Sequence, residues 1–114
     1  VLPEPPLHFV LYFLSESTIL TKESQKQVAK ILQAITERQS EDIGVIGHTD
    51  TTGNRDYNMI LSRKRAEIVS QLLVEHSISQ QYLHVTSHGE ENPLIRTADN
   101  VPEPRNRRVE VVVR

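Results

Sequence analysis

Three bases stand in a row at Arg63, Lys64 and Arg65, inside the stretch "HTDTTGNRDYNMILSRKRAEIVSQLL", residues 48–73. The stretch opens as a Gly- and Asn-punctuated turn carrying Asp50, then takes on helical spacing. At about 100° per residue with Asn58 as zero, Leu61, Ile68, Val69 and Leu72 fall at roughly 300°, 280°, 20° and 320°. Arg65 falls near 340°, on that apolar stripe, whereas Arg63 and Lys64 land at roughly 140° and 240° with Glu67 and Gln71 toward solvent. A guanidinium on a core-facing stripe is expensive unless an anion meets it, so the chain should supply a partner. Arg65 is therefore a candidate either for a structural ion pair or for a ligand contact. Asp50, followed by Gly53 and Asn54, is open to two readings as well: an Asx-turn residue, or the acid of a binding site.

Other residues that could do chemistry are arranged less well. Five histidines invite a zinc site from His48, Asp50, His84 and His88, but their spacing matches no helix-borne motif of the H-E-x-x-H kind. His84 alternates with Leu83 as strand neighbours do, which places it at the surface. The chain has no cysteine and no S-x-x-K motif, and no pair of acids stands where a raised pKa would be expected. Glu90 and Glu91, after His88, read as part of a turn at Gly89. No catalytic residue, metal or cofactor is expected; the chain reads as a binder.

Composition sets the frame for these residues. A chain of 114 residues fits one domain. The hydrophobic share is 37% with aromatics at 4%, and it comes in periodic blocks of Val, Ile and Leu that argue against disorder. The formal net charge of -2 gives no basic surface for phosphate neutralisation, so no nucleic-acid partner is expected. No apolar run approaches the roughly 18 residues that span a bilayer, and membrane attachment would have to come from a parent-protein segment outside this chain. The opening "VLPEPP", residues 1–6, reads as the remnant of an extended linker, with the domain occupying residues 7–114.

The elements that must position Asp50 and Arg65 follow from periodicity. "LHFVLYFL" (7–14) reads as a buried strand. Thr21 caps a helix in which Val28, Ile31, Leu32 and Ile35 share a face. "EDIGVIGH" (41–48) reads as a strand whose Gly44 and Gly47 suggest a bend or close backbone approach, and it delivers the chain to Asp50. The second helix runs from about Arg55 to Glu75. Residues 82–93 read as strand then loop, "LIRTADNVPEP" as irregular, and "RNRRVEVVVR" as a final strand with Arg107, Val109, Val111 and Val113 on one face. The fold class is α/β (α+β) in the order βαβαββ: a mixed four-stranded sheet with both helices packed on one face, the βαβ crossovers favouring parallel neighbours.

Taken together, "GHTDTTGNRDYNMILSRKRAEIV", "SHGEENPL" and "PRNRRVEVVV" resemble the OmpA-like domain of outer-membrane proteins, peptidoglycan-associated lipoproteins and flagellar stator subunits. The signature T-D-x-x-G, N-x-x-L-S-x-x-R-A and N-R-R-V occurs in that order, and the likeness extends from about Leu7 to Arg114. It implies binding of the peptidoglycan stem peptide through its diamino acid, usually meso-diaminopimelate, whose free end carries an ammonium and a carboxylate on one carbon. Such a zwitterion needs a fixed anion and a fixed cation together. The resemblance carries the anion onto Asp50 and the cation onto Arg65, with Asp50 and the ligand carboxylate sharing the guanidinium donors.

By the same likeness Asn58 hydrogen-bonds near the site and Arg107 offers a second carboxylate contact, while the N–H groups of Thr52 and Gly53 would face an anion. Asn58 also reads as a local helix hydrogen bonder, and Arg105 and Arg108 as solvated. One departure stands out: many relatives place an acid soon after the aromatic of the first strand, where this chain has Leu14, and Glu16 is the nearest acid. The implied role is a non-catalytic wall anchor in the periplasm, tied to the outer or inner membrane through a parent protein. The alternatives are a protein-interaction module of an envelope or secretion complex, or a histidine metal site. Replacing Arg65 by leucine is expected to be tolerated, because it extends the apolar stripe.

Overall fold

A computed structural model of the chain describes residues 4–91, 93 and 95–114. The order is β1 (Leu7–Tyr12), α1 (Lys22–Arg38), β2 (Ile43–Gly47), α2 (Arg55–Glu75), β3 (Leu83–Ser87) and β4 (Arg108–Val113), with single 3-10 turns at Gln80–Tyr82 and Pro104–Asn106. Of the six residues read as linker, 1–3 lie outside the described residues. Glu4 and Pro5 lie against α1, where Arg38 reaches the Glu4 carboxylate at 3.2 Å and the Pro5 carbonyl at 2.6 Å.

The strands form one mixed sheet in the order β1-β4-β2-β3. The crossover through α2 makes β2 and β3 parallel neighbours, as the βαβ rule expects. β1 and β2 also point the same way but do not touch, because β4 lies between them, antiparallel to both. A six-residue strand with four valines belongs in the middle, where both edges are paired and one face is covered by the helices. Val109, Val111 and Val113 are fully buried, facing Leu11, Ile43 and Val45 across the sheet and Ile31, Val69 and Leu73 from the helices. At about 1.5–3 kcal/mol for each buried aliphatic side chain, this layer supplies most of the favourable term. Arg108, on the outer face of β4, is buried rather than solvated, its Nε 3.0 Å from Glu110.

Local signals fix the helices. Thr21 accepts the Ser24 N–H at 3.2 Å, and Gln39 in the left-handed region (φ 52°) stops α1. Asn54 accepts the N–H groups of Asp56 and Tyr57 at 2.8 and 3.2 Å and starts α2. The buried side of α2 is rotated from the periodicity estimate: Ser62, Ala66 and Leu73 face the sheet, whereas Ile68 is 45% exposed. Gly47 explains the rotation. A Cβ there would stand 1.9 Å from the Ser62 carbonyl oxygen, so β2 and α2 meet backbone to backbone on the helix's small-residue side. Arg65 stays on the buried face.

Candidate ligand-binding site

The chain leaves β2 at Gly47 and turns through residues 48–54 before entering α2, which puts Asp50 at the carboxyl end of the sheet beneath the first helical turns. Asp50 is 5% exposed. Its Oδ1 accepts the Thr52 N–H at 3.1 Å, the two-residue reach of an Asx-turn. Its Oδ2 accepts the Glu103 N–H at 3.2 Å and pairs with Arg107 Nη1 at 3.0 Å. An Asx-turn and an ion pair with Arg107 therefore coexist at Asp50.

Arg65 lies on the inward stripe, but the partner of Asp50 is Arg107. The Arg65 guanidinium, fully buried, donates to three backbone carbonyls: Nε to Ser17 at 2.9 Å, Nη1 to His48 at 3.1 Å and Nη2 to Leu14 at 3.2 Å. It also stands 5.2 Å from the ring centre of Phe13. Burial pushes its pKa down to about 10; the Asp50 charge pulls it back up, Arg107 lowers it further and Tyr57 raises it. It keeps its charge at neutral pH. Carbonyl dipoles, with Asp50 acting at longer range, thus supply the negative partner that the sequence called for.

Asn58, 2% exposed, turns its Nδ2 toward Asp50 O (3.3 Å), Thr52 O (2.9 Å) and Glu90 Oε2 (3.1 Å), so its side chain braces the turn before α2. The N–H groups of Thr52 and Gly53 are not turned toward an open anion site. The first serves Asp50 itself and the second Asn100 Oδ1 at 3.0 Å. Thr52 Oγ1 is buried without a hydrogen-bond partner among the described residues. Arg107 also reaches the Phe13 carbonyl at 3.4 Å, and its side chain is 13% exposed.

Several groups that complete the site carry no sequence signal of their own. Thr51 staples the loop before β4, its Oγ1 bonding Ala98 O at 2.8 Å and the Val101 N–H at 2.9 Å. Asn106 grips the N–H and carbonyl of Ile95 at 2.9 and 2.7 Å. Glu90, read from the sequence as a turn residue, is held against Asn58. The left-handed φ of +59° at Gly89 was the available hint, since only a glycine sits easily there. A cleft of about 320 Å³ lies between the segment after β1 (Glu16 to Ile19) and α2 (Tyr57, Ile60, Lys64).

Among the described residues, no three of His, Asp and Glu gather into a group that could hold a metal ion. His48 is buried with its ring 5.4 Å from that of His88 and its Nε2 3.6 Å from Glu110 Oε2, whereas His84 is exposed beside Asp42.

This topology recurs in known proteins. A peptidoglycan-associated lipoprotein of Pseudomonas aeruginosa is 35% identical over 103 residues, covering 88% of this chain and 59% of that protein. An outer membrane protein of Gluconacetobacter diazotrophicus is 32% identical over 117 residues, covering 97% of this chain and 31% of that protein. The chain thus spans well under two thirds of these curated relatives. Among solved structures, the peptidoglycan-associated lipoprotein of Burkholderia pseudomallei superposes with a TM-score of 0.79 at 27% identity, covering 92% of this chain and 89% of that one. The OmpA family matches residues 12–107, a span that holds Asp50, Asn58, Arg65 and Arg107 together. The chain belongs to the OmpA family.

Proposed function

We propose that the domain binds peptidoglycan without altering it, by holding the diaminopimelate of the stem peptide, and so anchors a periplasmic parent protein to the cell wall. One observation carries this reading: among the described residues, each charged group of the polar centre keeps spare valence of its own sign. Asp50 offers about four lone-pair sites, of which donors among the described residues occupy three. Arg65 has five N–H groups against three carbonyls, and Arg107 uses its own on Phe13 and Asp50. A ligand that brings one ammonium and one carboxylate on the same carbon completes both sets, whereas a single charge completes only one. The names of the relatives, peptidoglycan-associated lipoproteins among them, support the same partner.

The ammonium is assigned to Asp50, and the carboxylate to Arg107 and then to Arg65. Arg65 is sealed by the carbonyls of Leu14 and Ser17, so the ligand reaches it only as the segment from Leu14 to Ile19 lifts. Both ends of that segment face solvent. Leu14 and Ile19 are 47% and 58% exposed, and Glu16 sits at a left-handed φ of 47°. Affinity at one site is modest, because desolvating these charges offsets much of the gain, and many wall sites supply the rest by avidity. Membrane attachment, outer or inner, is assigned to the parent protein. A second reading, docking to another envelope protein, is favoured by the exposed Tyr57, Met59, Ile60 and Ile68 of α2.

Sedimentation with purified sacculi tests the proposal. The parent domain should pellet with the wall, free diaminopimelate should release it, and Asp50→Ala should stay in the supernatant while remaining folded. An Asp50→Ala variant that pellets as well as the parent rules the assignment out.

A further inference from the structure

We infer that Glu90 is a positioning residue of the site, acting through the amide of Asn58 to hold the turn that carries Asp50; the inference rests on the proposed ligand reading and deepens it. Glu90 lies in the segment that leaves β3, far along the chain from Asp50, yet its side chain is only 9% exposed. The segment is fastened on both sides. The Gly89 N–H bonds Ser62 Oγ on α2 at 2.8 Å, and the Gly89 carbonyl accepts the Thr49 N–H at 2.7 Å, beside Asp50. A Cβ at Gly89 would press to 3.1 Å from the Met59 Cα, so the backbone lies flat on the helix. This docking delivers the Glu90 carboxylate to Asn58, with Oε2 3.1 Å from Nδ2, while Oε1 takes an outer contact with Arg55 Nε at 3.3 Å.

The consequence is a fixed amide orientation. With Glu90 present, the Asn58 Nδ2 faces three acceptors: the carboxylate and the carbonyls of Asp50 and Thr52. A flipped amide would set Oδ1 against all three oxygens, so the carboxylate locks the amide and the amide locks the turn. The turn in turn aims the Thr52 N–H at Asp50 Oδ1. Glu90 need not touch the ligand to matter. Its exposed bond to Arg55, whose side chain is 69% exposed, contributes little to this.

Two measurements on Glu90→Ala, Glu90→Asp, Glu90→Gln and a Glu91→Ala control test the inference. In ¹H–¹⁵N spectra the amides of Thr52 and Glu103, which bond Asp50 and not Glu90, should shift in Glu90→Ala and Glu90→Asp, barely in Glu90→Gln, and not at all in the control. Diaminopimelate affinity by calorimetry should fall about tenfold in Glu90→Ala, the scale of one lost buried hydrogen bond, and return to within about threefold in Glu90→Gln. If Glu90→Ala does not fold, Glu90→Asp, which keeps the charge but withdraws the oxygen by one methylene, gives the same spectral answer. Unmoved Thr52 and Glu103 amides overturn the inference, as does Glu90→Gln binding as poorly as Glu90→Ala. A parent domain that ignores diaminopimelate defeats the proposed ligand alone, because the amide shifts still decide the role of Glu90.

Discussion

Helices α1 and α2 pack on the same face of one sheet, but they bury different materials. α1 puts Val28, Ile31, Ala34 and Ile35 into the core, with Ser24 alone as a buried polar group near its start. α2 buries Ala66, Val69 and Leu73 in its second half, while its first half buries Asn58, Ser62 and Arg65 around a single leucine, Leu61. The apolar stretches follow from burial of area alone. The polar stretch has a desolvation cost that only specific partners offset, and those partners are backbone groups and turns that follow β1, β2 and β3. The polar material lies where α2 meets the turn that carries Asp50.

The sharpest way to break that contrast is at Arg65. Replacing it with leucine removes the donor from the carbonyls of Leu14, Ser17 and His48 at once, and we expect a loss of about 3–5 kcal/mol by urea denaturation. The geometry reverses the expectation of a harmless apolar substitution, because the guanidinium serves three acceptors that leucine cannot. A leucine variant as stable as the parent would dissolve the distinction between the helices. Ile31→Ala on α1 is the matched case: a cavity costing about 2–5 kcal/mol, with sacculus binding unchanged per folded molecule.

A smaller effect sharpens the contrast through His48, whose carbonyl receives Arg65. Burial, then the Arg108 charge, lower the His48 pKa from 6.5 to about 4 against the opposing pull of Glu110, with His88 lowering it further. Above pH 6.5 the ring is neutral folded and unfolded, so it adds no pH dependence. Between 6.5 and about 4 the unfolded chain takes the proton first, so stability should fall with pH, by about 3 kcal/mol in all. Denaturation midpoints measured across that window should flatten in His48→Asn. An identical profile would show that His48 is not the titrating group.

The smallest effects come from the caps. Thr21→Ala and Asn54→Ala should each cost about 1 kcal/mol. Only Asn54→Ala, at the end of the Asp50 turn, should also weaken wall binding. Equal binding by the two variants would separate the turn from ligand capture.

Much of this arrangement could be read from residue order, and the rest depended on contacts that order does not encode. Arg55–Glu75, the Thr21 cap and the inward valines of β4 follow from periodicity and capping chemistry, which are local. β1 stops at Tyr12, short of the Leu14 that its apolar run suggested, because Phe13 leaves the sheet to bridge Leu20. The rotation of α2 was hidden because Ser62 and Ile68 compete for the sheet, and the contest is settled by Gly47. Arg65 pointing inward was legible at 100° per residue. Its acceptors were not, since any residue type can offer a carbonyl. The pairing of Asp50 with Arg107 needed the irregular loop before β4, whose path no periodic pattern fixes.

The central position of β4 carries a consequence for how the molecule is made. It comes last of the four strands in chain order, and both β1 and β2 pair with it, so a nascent chain ending before Arg108 can pair only β2 with β3. Such a fragment leaves β1 stranded and the valine layer missing. The four-stranded sheet therefore closes only once these six residues are in place.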